Sequence, residues 1–136
     1  MKTIDSIFII DDDPITVFGI RKLLDKNVEF NTISTYGNGK LALDGIKKVL
    51  SAGKSLPEVI FLDINMPIMD GWQFLEEFVE LPIVEKIRVN IVTSSIDPAD
   101  YKNWEFYNEK SHHMITFNTK PLTGISIAEI SQRAEP

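Results

Sequence analysis

The chain has 136 residues, of which 43% are hydrophobic and 25% charged, so it is sized and composed as one soluble globular domain with a full core. The absence of cysteine excludes disulfide scaffolds, thiolate metal sites and cysteine nucleophiles. With 14 basic against 20 acidic residues the net charge is −6, a field that repels phosphate backbones and anionic lipid and argues against nucleic-acid or membrane partners. The apolar run Ile7–Ile10 is too short for a signal peptide and ends in acids, so the expected location is the cytoplasm.

Residues 6–10 (SIFII) read as a buried strand closed by Asp11, Asp12 and Asp13. Asp13-Pro14 then forms a helix cap with proline in the first turn. Val17, Ile20, Leu23 and Leu24 carry that helix to about Lys26. Residues 28–35 read as a second strand, and Tyr36-Gly37-Asn38-Gly39 as a turn. The next helix is expected to be lined by Leu41, Leu43, Ile46, Val49 and Leu50. Pro57 opens a third strand, VIFLDI at 59–64, whose apolar character on both faces suits a parallel sheet covered on both sides. The loop NMPIMDG (65–71) leads to a helix with Phe74, Leu75, Phe78 and Leu81, stopped by Pro82. A fourth strand spans 87–93, and Asp97-Pro98 repeats the cap and starts a helix through Tyr101, Trp104 and Tyr107. A fifth strand spans 114–119, followed by a short helix from Ile125 to about Arg133. Alternating strands and helices imply right-handed crossovers and an α/β fold: a doubly wound, five-stranded parallel sheet.

In such sheets ligands sit beyond the carboxyl ends of the strands, where the strand order reverses. The first strand delivers Asp11, Asp12 and Asp13 there, the third Asp63, the fourth Thr93 and the fifth Lys120. Clustered carboxylates repel one another without a cation, and oxygen-only ligands suit Mg²⁺. A carboxylate-bound Mg²⁺, a further aspartate, a hydroxyl and an ammonium together suit phosphoryl chemistry, which relies on positioning and charge neutralisation.

Four segments carry a resemblance: SIFIIDDDP (6–14), VIFLDINMPIMDG (59–71), NIVTSS (90–95) and FNTKPL (117–122). In order and spacing the chain resembles a receiver domain of a two-component response regulator, of the chemotaxis-regulator type, over nearly its whole length. The resemblance implies a flavodoxin-like (βα)5 fold with strand order 2-1-3-4-5 and a single receiver domain over 1–136. It implies Asp63 as the nucleophile that takes a phosphoryl group from the phosphohistidine of a sensor kinase or phosphotransfer protein. Asp11, Asp12, Asp63 and the backbone carbonyl of Asn65 would hold Mg²⁺, and Lys120 would place its ammonium on a phosphoryl oxygen. Thr93 would turn its hydroxyl to the phosphoryl group, and Phe117 would rotate with it. Ser95 and Asn65 occupy positions that tune phosphoryl lifetime in the family. Output would be protein–protein binding or onward phosphotransfer through the face formed by the fourth helix, fifth strand and fifth helix. On that face Tyr101, Trp104 and Tyr107 read equally as packing or as an interface. The stretch from Thr93 to Lys120 is longer than the family pattern, so the fourth helix or its following loop is extended.

Two other functions compete. A haloacid-dehalogenase-type phosphatase spaces two aspartates as Asp11 and Asp13 are, but its pattern wants Thr or Val where Ile15 stands. A receiver-shaped scaffold that takes no phosphate is opposed by the complete set of Asp11, Asp12, Asp63, Thr93 and Lys120. The Gly37–Lys40 segment fails as a phosphate-binding loop, because Ser34 and Leu41 stand where Gly and Ser/Thr are needed. His112 and His113 read as a surface loop, their side chains pointing to opposite faces.

Overall fold

A computed structural model describes residues 3–95 and 97–135. The elements alternate along the chain as β1 (Ile4–Ile10), α1 (Pro14–Asn27), β2 (Phe30–Tyr36), α2 (Gly39–Ser51), β3 (Val59–Leu62), α3 (Gly71–Phe78), β4 (Arg88–Thr93), α4 (Pro98–Lys110), β5 (Met114–Thr119) and α5 (Gly124–Ile130). The five strands pair in parallel in the order β2-β1-β3-β4-β5, as the resemblance implied. No helix among the described residues is long and apolar enough to cross a membrane.

Alternation along the central strands divides the core. Ile7, Ile9, Val59 and Phe61 face one side and are covered by Ile20 and Leu24 of α1 and by Ile127 and Ile130 of α5. Phe8, Ile10, Ile60 and Leu62 face the other side, under α2 and α3. Both faces of β3 are therefore buried, which is why its sequence is apolar without interruption. On the α5 side of β4, Asn90 is the polar exception. Its Nδ2 donates to the Ile130 carbonyl at 2.6 Å, and its Oδ1 accepts from Thr116 Oγ1 at 2.7 Å, so the short α5 is tied to the sheet by a fully paired buried amide.

The caps follow the sequence reading. Asp13 accepts from the Ile15 amide and Asp97 from the Ala99 amide, each before a proline in the first turn. Several boundaries differ. β2 begins at Phe30 because Val28 closes α1, donating its amide to the Leu24 carbonyl. α3 ends at Phe78: approaching Pro82, the chain leaves the helix through bonds from Glu80 to Glu77 and Leu81 to Phe78. α5 ends at Ile130. Leu41, expected to line α2 together with Leu43 and Ile46, is 53% exposed, because Ala42, Leu43 and Ile46 set the inward face of α2 and leave position 41 on the outer one.

The reading of the histidine pair as a surface loop is corrected. His112 is exposed, but His113 is buried against Phe78, with ring centroids 4.9 Å apart. The two imidazoles do not point apart; their centroids lie 3.9 Å from each other. The pair precedes β5, where the chain bends and strand alternation does not yet apply.

Candidate functional site

Strand register assembles the site. β1 and β3 are neighbours with Ile10 opposite Leu62, so Asp11 and Asp63 leave the sheet side by side. The Asp63 amide continues the ladder by donating to the Ile10 carbonyl at 2.9 Å. β4 and β5 end with Thr93 opposite Thr119, and the next amide, that of Lys120, donates to the Thr93 carbonyl at 2.8 Å. Four residues distant in sequence thus meet on one rim at the point where strand order reverses.

Asp11, Asp12 and Asp63 present carboxylate oxygens that all lie within 4.8 Å of one another. Asp11 and Asp63 are 5% and 7% exposed, whereas Asp12 is open to solvent. Lys120 reaches across from β5, its Nζ 3.4 Å from Asp11 Oδ2 and 3.5 Å from Asp63 Oδ1. Burial pushes the Asp63 carboxyl above the ordinary carboxylate range, and the charge of Asp11 adds to this against the opposing pull of Lys120. Asp11 is raised too, again chiefly by burial, although the Asp13 amide donates to its Oδ1 at 2.9 Å. One ammonium thus stands beside a crowded carboxylate set. An oxygen-only donor set with excess negative charge fits a hard divalent cation such as Mg²⁺.

Asp13 does not join this cluster. Its carboxylate accepts from the Ile15 amide at 3.0 Å and from the Thr16 hydroxyl at 2.9 Å. The Thr16 hydroxyl, followed by the Ile15 amide, holds it below the ordinary carboxylate range. The phosphatase pattern is left without its second aspartate at the site.

Thr93 is fully buried, and its Oγ1 accepts from the Ser95 amide at 3.0 Å. Phe117 is half-buried on β5, 5.9 Å from the Tyr101 ring and 6.3 Å from the Trp104 ring, so it lies between the sheet and α4. Asn65 is exposed in the loop after Asp63. The aromatic residues of α4 divide. Trp104 donates its indole N–H to the Ile115 carbonyl at 2.6 Å, and Tyr107 stacks on Trp72, whereas Tyr101 is half open.

The β3–α3 loop is fixed closely beneath Asp63. The Gly71 amide donates to the Ile64 carbonyl at 2.8 Å, and a Cβ on Gly71 would stand 2.5 Å from the Asp63 carbonyl oxygen and 2.9 Å from the Ile64 Cα. Those obstacles are backbone and cannot rotate away. Gly71→Ala is therefore expected to lower stability by about 2 kcal/mol in urea titration and to displace Asp63. An unchanged midpoint would contradict that reading of the loop.

Sequence reasoning overlooked three polar residues that the structure makes prominent, Asn90, Asp100 and Trp72, and misread a fourth, His113. Asn90 alone gave a signal, as an amide in the middle of an apolar strand.

The fold and this rim define a flavodoxin-like α/β domain with an acidic pocket at the switch point of its sheet. Residues 7–122 match the family model described as the response regulator receiver domain, and the chain belongs to that family. It is a receiver domain of two-component signalling. A two-component response regulator from Cytophaga hutchinsonii superposes with a TM-score of 0.79 at 29% identity, covering 95% of each chain. The phosphorylated cyanobacterial phytochrome response regulator RcpA gives a TM-score of 0.71 at 25% identity, over 92% of this chain and 86% of that one. Among curated relatives, protein-glutamate methylesterase/protein-glutamine glutaminase 2 of Methanospirillum hungatei is 26% identical over 121 residues. That match covers 87% of this chain and 31% of the relative, so the chain spans about a third of that protein's length.

Proposed function

We propose that the chain accepts a phosphoryl group on Asp63 from the phosphohistidine of a sensor kinase or histidine phosphotransfer protein. The observation that carries this reading is Lys120 Nζ beside both Asp11 and Asp63 in a pocket that also holds Asp12. A buried carboxylate with cationic help at its oxygen is equipped to attack phosphorus. The Asp63 oxygen forms the new P–O bond while the P–N bond to the imidazole breaks. The electron pair of that bond stays on the imidazole nitrogen, which takes up a proton. Asp11, Asp12, Asp63 and the Asn65 carbonyl would hold Mg²⁺, which when bound neutralises charge on the transferring group and orients it. Lys120 places its ammonium on a phosphoryl oxygen as a point charge.

Thr93 then turns its hydroxyl to the phosphoryl group, and Phe117 repacks beneath α4. This local charge change biases a two-state element on the α4–β5–α5 face, where a downstream protein or a further phosphotransfer partner docks. The chain acts as one cytoplasmic receiver module with protein partners rather than nucleic acid or membrane. It assists its own phosphorylation and dephosphorylation without being an enzyme in its own right.

Intact mass spectrometry after incubation with phosphoramidate tests this reading. One phosphoryl group is expected with Mg²⁺ and none when the metal is chelated. No gain under conditions where another receiver reacts would instead favour a receiver-shaped binding scaffold.

A further inference from the structure

Helix α4 has thirteen residues and none of them is buried. Trp104 and Tyr107 pack against the core, and directed polar bonds fasten the helix beside them. At its C-terminal half, Trp104 donates to the Ile115 carbonyl and the Asn108 side chain accepts from the Ile115 amide. At its N-terminal half the fastening is Asp100. Its Oδ1 accepts the Trp72 indole N–H from α3 at 2.9 Å, and its Oδ2 accepts the Ser95 hydroxyl at 2.5 Å. Ser95 in turn donates its amide to Thr93 Oγ1 at 3.0 Å, and its own Oγ accepts from the Asp97 amide at 3.2 Å. One line of hydrogen bonds thus runs from the buried hydroxyl at the carboxylate rim, through the loop and α4, to an indole on α3. Tyr107 backs that indole, its ring stacked at 6.1 Å and 12°.

We infer that Asp100 is a positioning residue that ties α4 to the Thr93 hydroxyl, and that the Trp72 indole senses the state of that hydroxyl through it. The inference rests on the reading of Thr93 as the group that turns to the phosphoryl. In the structure, Thr93 Oγ1 is the acceptor for Ser95. A side-chain rotation that carries Oγ1 toward the phosphoryl group moves that acceptor away from the Ser95 amide, and a half-buried amide left unpaired is costly. Ser95 must then move to pair its amide, and its hydroxyl leaves Asp100 as it does. With one of its two partners gone, the Asp100 carboxylate no longer spans the loop and α3. Because the first turn of α4, residues 98–101, holds no buried residue, little packing resists its shift. The element is two-state in the sense that the clamp is either closed through Ser95 or open.

Trp72 and Trp104 are the only two tryptophans, so their indole N–H resonances in a ¹H–¹⁵N spectrum of the full chain are separable, with Trp72→Phe assigning one. Wild type, Thr93→Val and Asp100→Ala are each recorded before and after phosphoramidate and Mg²⁺, with intact mass reporting uptake. Thr93→Val removes the acceptor without changing shape and is expected to displace the Trp72 resonance with no phosphoryl present. Phosphorylation is expected to displace it in wild type. In Asp100→Ala the resonance moves upfield at the start, and phosphorylation no longer moves it although the mass gain is unchanged. A Trp72 resonance indifferent to Thr93→Val and to phosphorylation overturns the coupling, since a merely structural Asp100 would give that result. Absence of any mass gain counts against phosphoryl uptake at Asp63, and the Thr93→Val spectrum then decides the relay by itself.

Discussion

Asp63→Asn is expected to take up no phosphoryl group and to be more stable than the wild-type chain. The first outcome follows from chemistry, because an amide oxygen is a poor nucleophile toward phosphorus and the neighbouring acids are occupied otherwise. Asp11 accepts from the Asp13 amide and pairs with Lys120, and Asp12 stands in solvent. The second outcome follows from the pocket's electrostatics. Asp63 is buried beside Asp11 with oxygens of both, and of Asp12, inside a 4.8 Å cluster, so its charge is disfavoured by lost hydration and by like charge. An asparagine of the same shape removes that repulsion while Lys120 keeps Asp11 as its partner. The expected gain, measured as a urea midpoint in EDTA, is about 1 kcal/mol, the usual sign when a functional group is held in an unfavourable place. A less stable variant would mean that the Lys120–Asp63 attraction outweighs the carboxylate repulsion. Continued mass gain in the variant would move the acceptor elsewhere.

The rim was legible in the sequence because each of its residues ends or directly follows a strand, and in a parallel sheet all strand ends of one polarity lie on one edge. Asp63, Thr93 and Lys120 group together from the sequence for that reason. The caps at Asp13 and Asp97 were legible because proline in the first turn fixes the residue before it outside the helix. Strand order came from the family resemblance and not from periodicity, which carries no information about which strands are neighbours. What stayed hidden depends on contacts between elements. Leu41 has the same apolarity as Leu43, and only the packing of α2 against the sheet sends one to water and the other to the core. Asp100 looks like an ordinary acidic first-turn residue of α4 until Trp72 and Ser95 arrive from other segments. His113 was misplaced for the same reason: its burial is created by Phe78 and Ile87, far from it in sequence.

That histidine carries the largest expected effect on folding. The Ile87 amide donates to His113 Nδ1 at 3.0 Å, so the ring proton sits on Nε2, which is buried without a hydrogen-bond partner among the described residues. The ring also locks the entry to β5 onto the entry to β4, where the Met114 amide donates to the Ile87 carbonyl at 3.1 Å. Protonating Nδ1 would set two donors against each other and place a charge in the core. Burial, with a smaller contribution from His112, accordingly pushes the His113 pKa down from 6.5 to about 4. In the unfolded chain the same imidazole titrates near its ordinary value, so between these limits the unfolded state binds more protons and stability falls as the pH falls. The stability is fully present above about pH 6.5, drains away as the pH falls through that window, and is gone below about pH 4. At about 1.4 kcal/mol per pH unit, the loss is about 3 kcal/mol. His113→Gln offers a carbonyl oxygen to the Ile87 amide and does not titrate. Urea midpoints of the two proteins from pH 7.5 to 4 share every carboxylate contribution, so their difference isolates the imidazole. Wild type is expected to lose about 3 kcal/mol more than the variant over that range, given the shift of that group. Parallel curves would mean that protonated His113 finds a partner in the fold, and that the imidazole does not govern the acid stability of the β4–β5 edge.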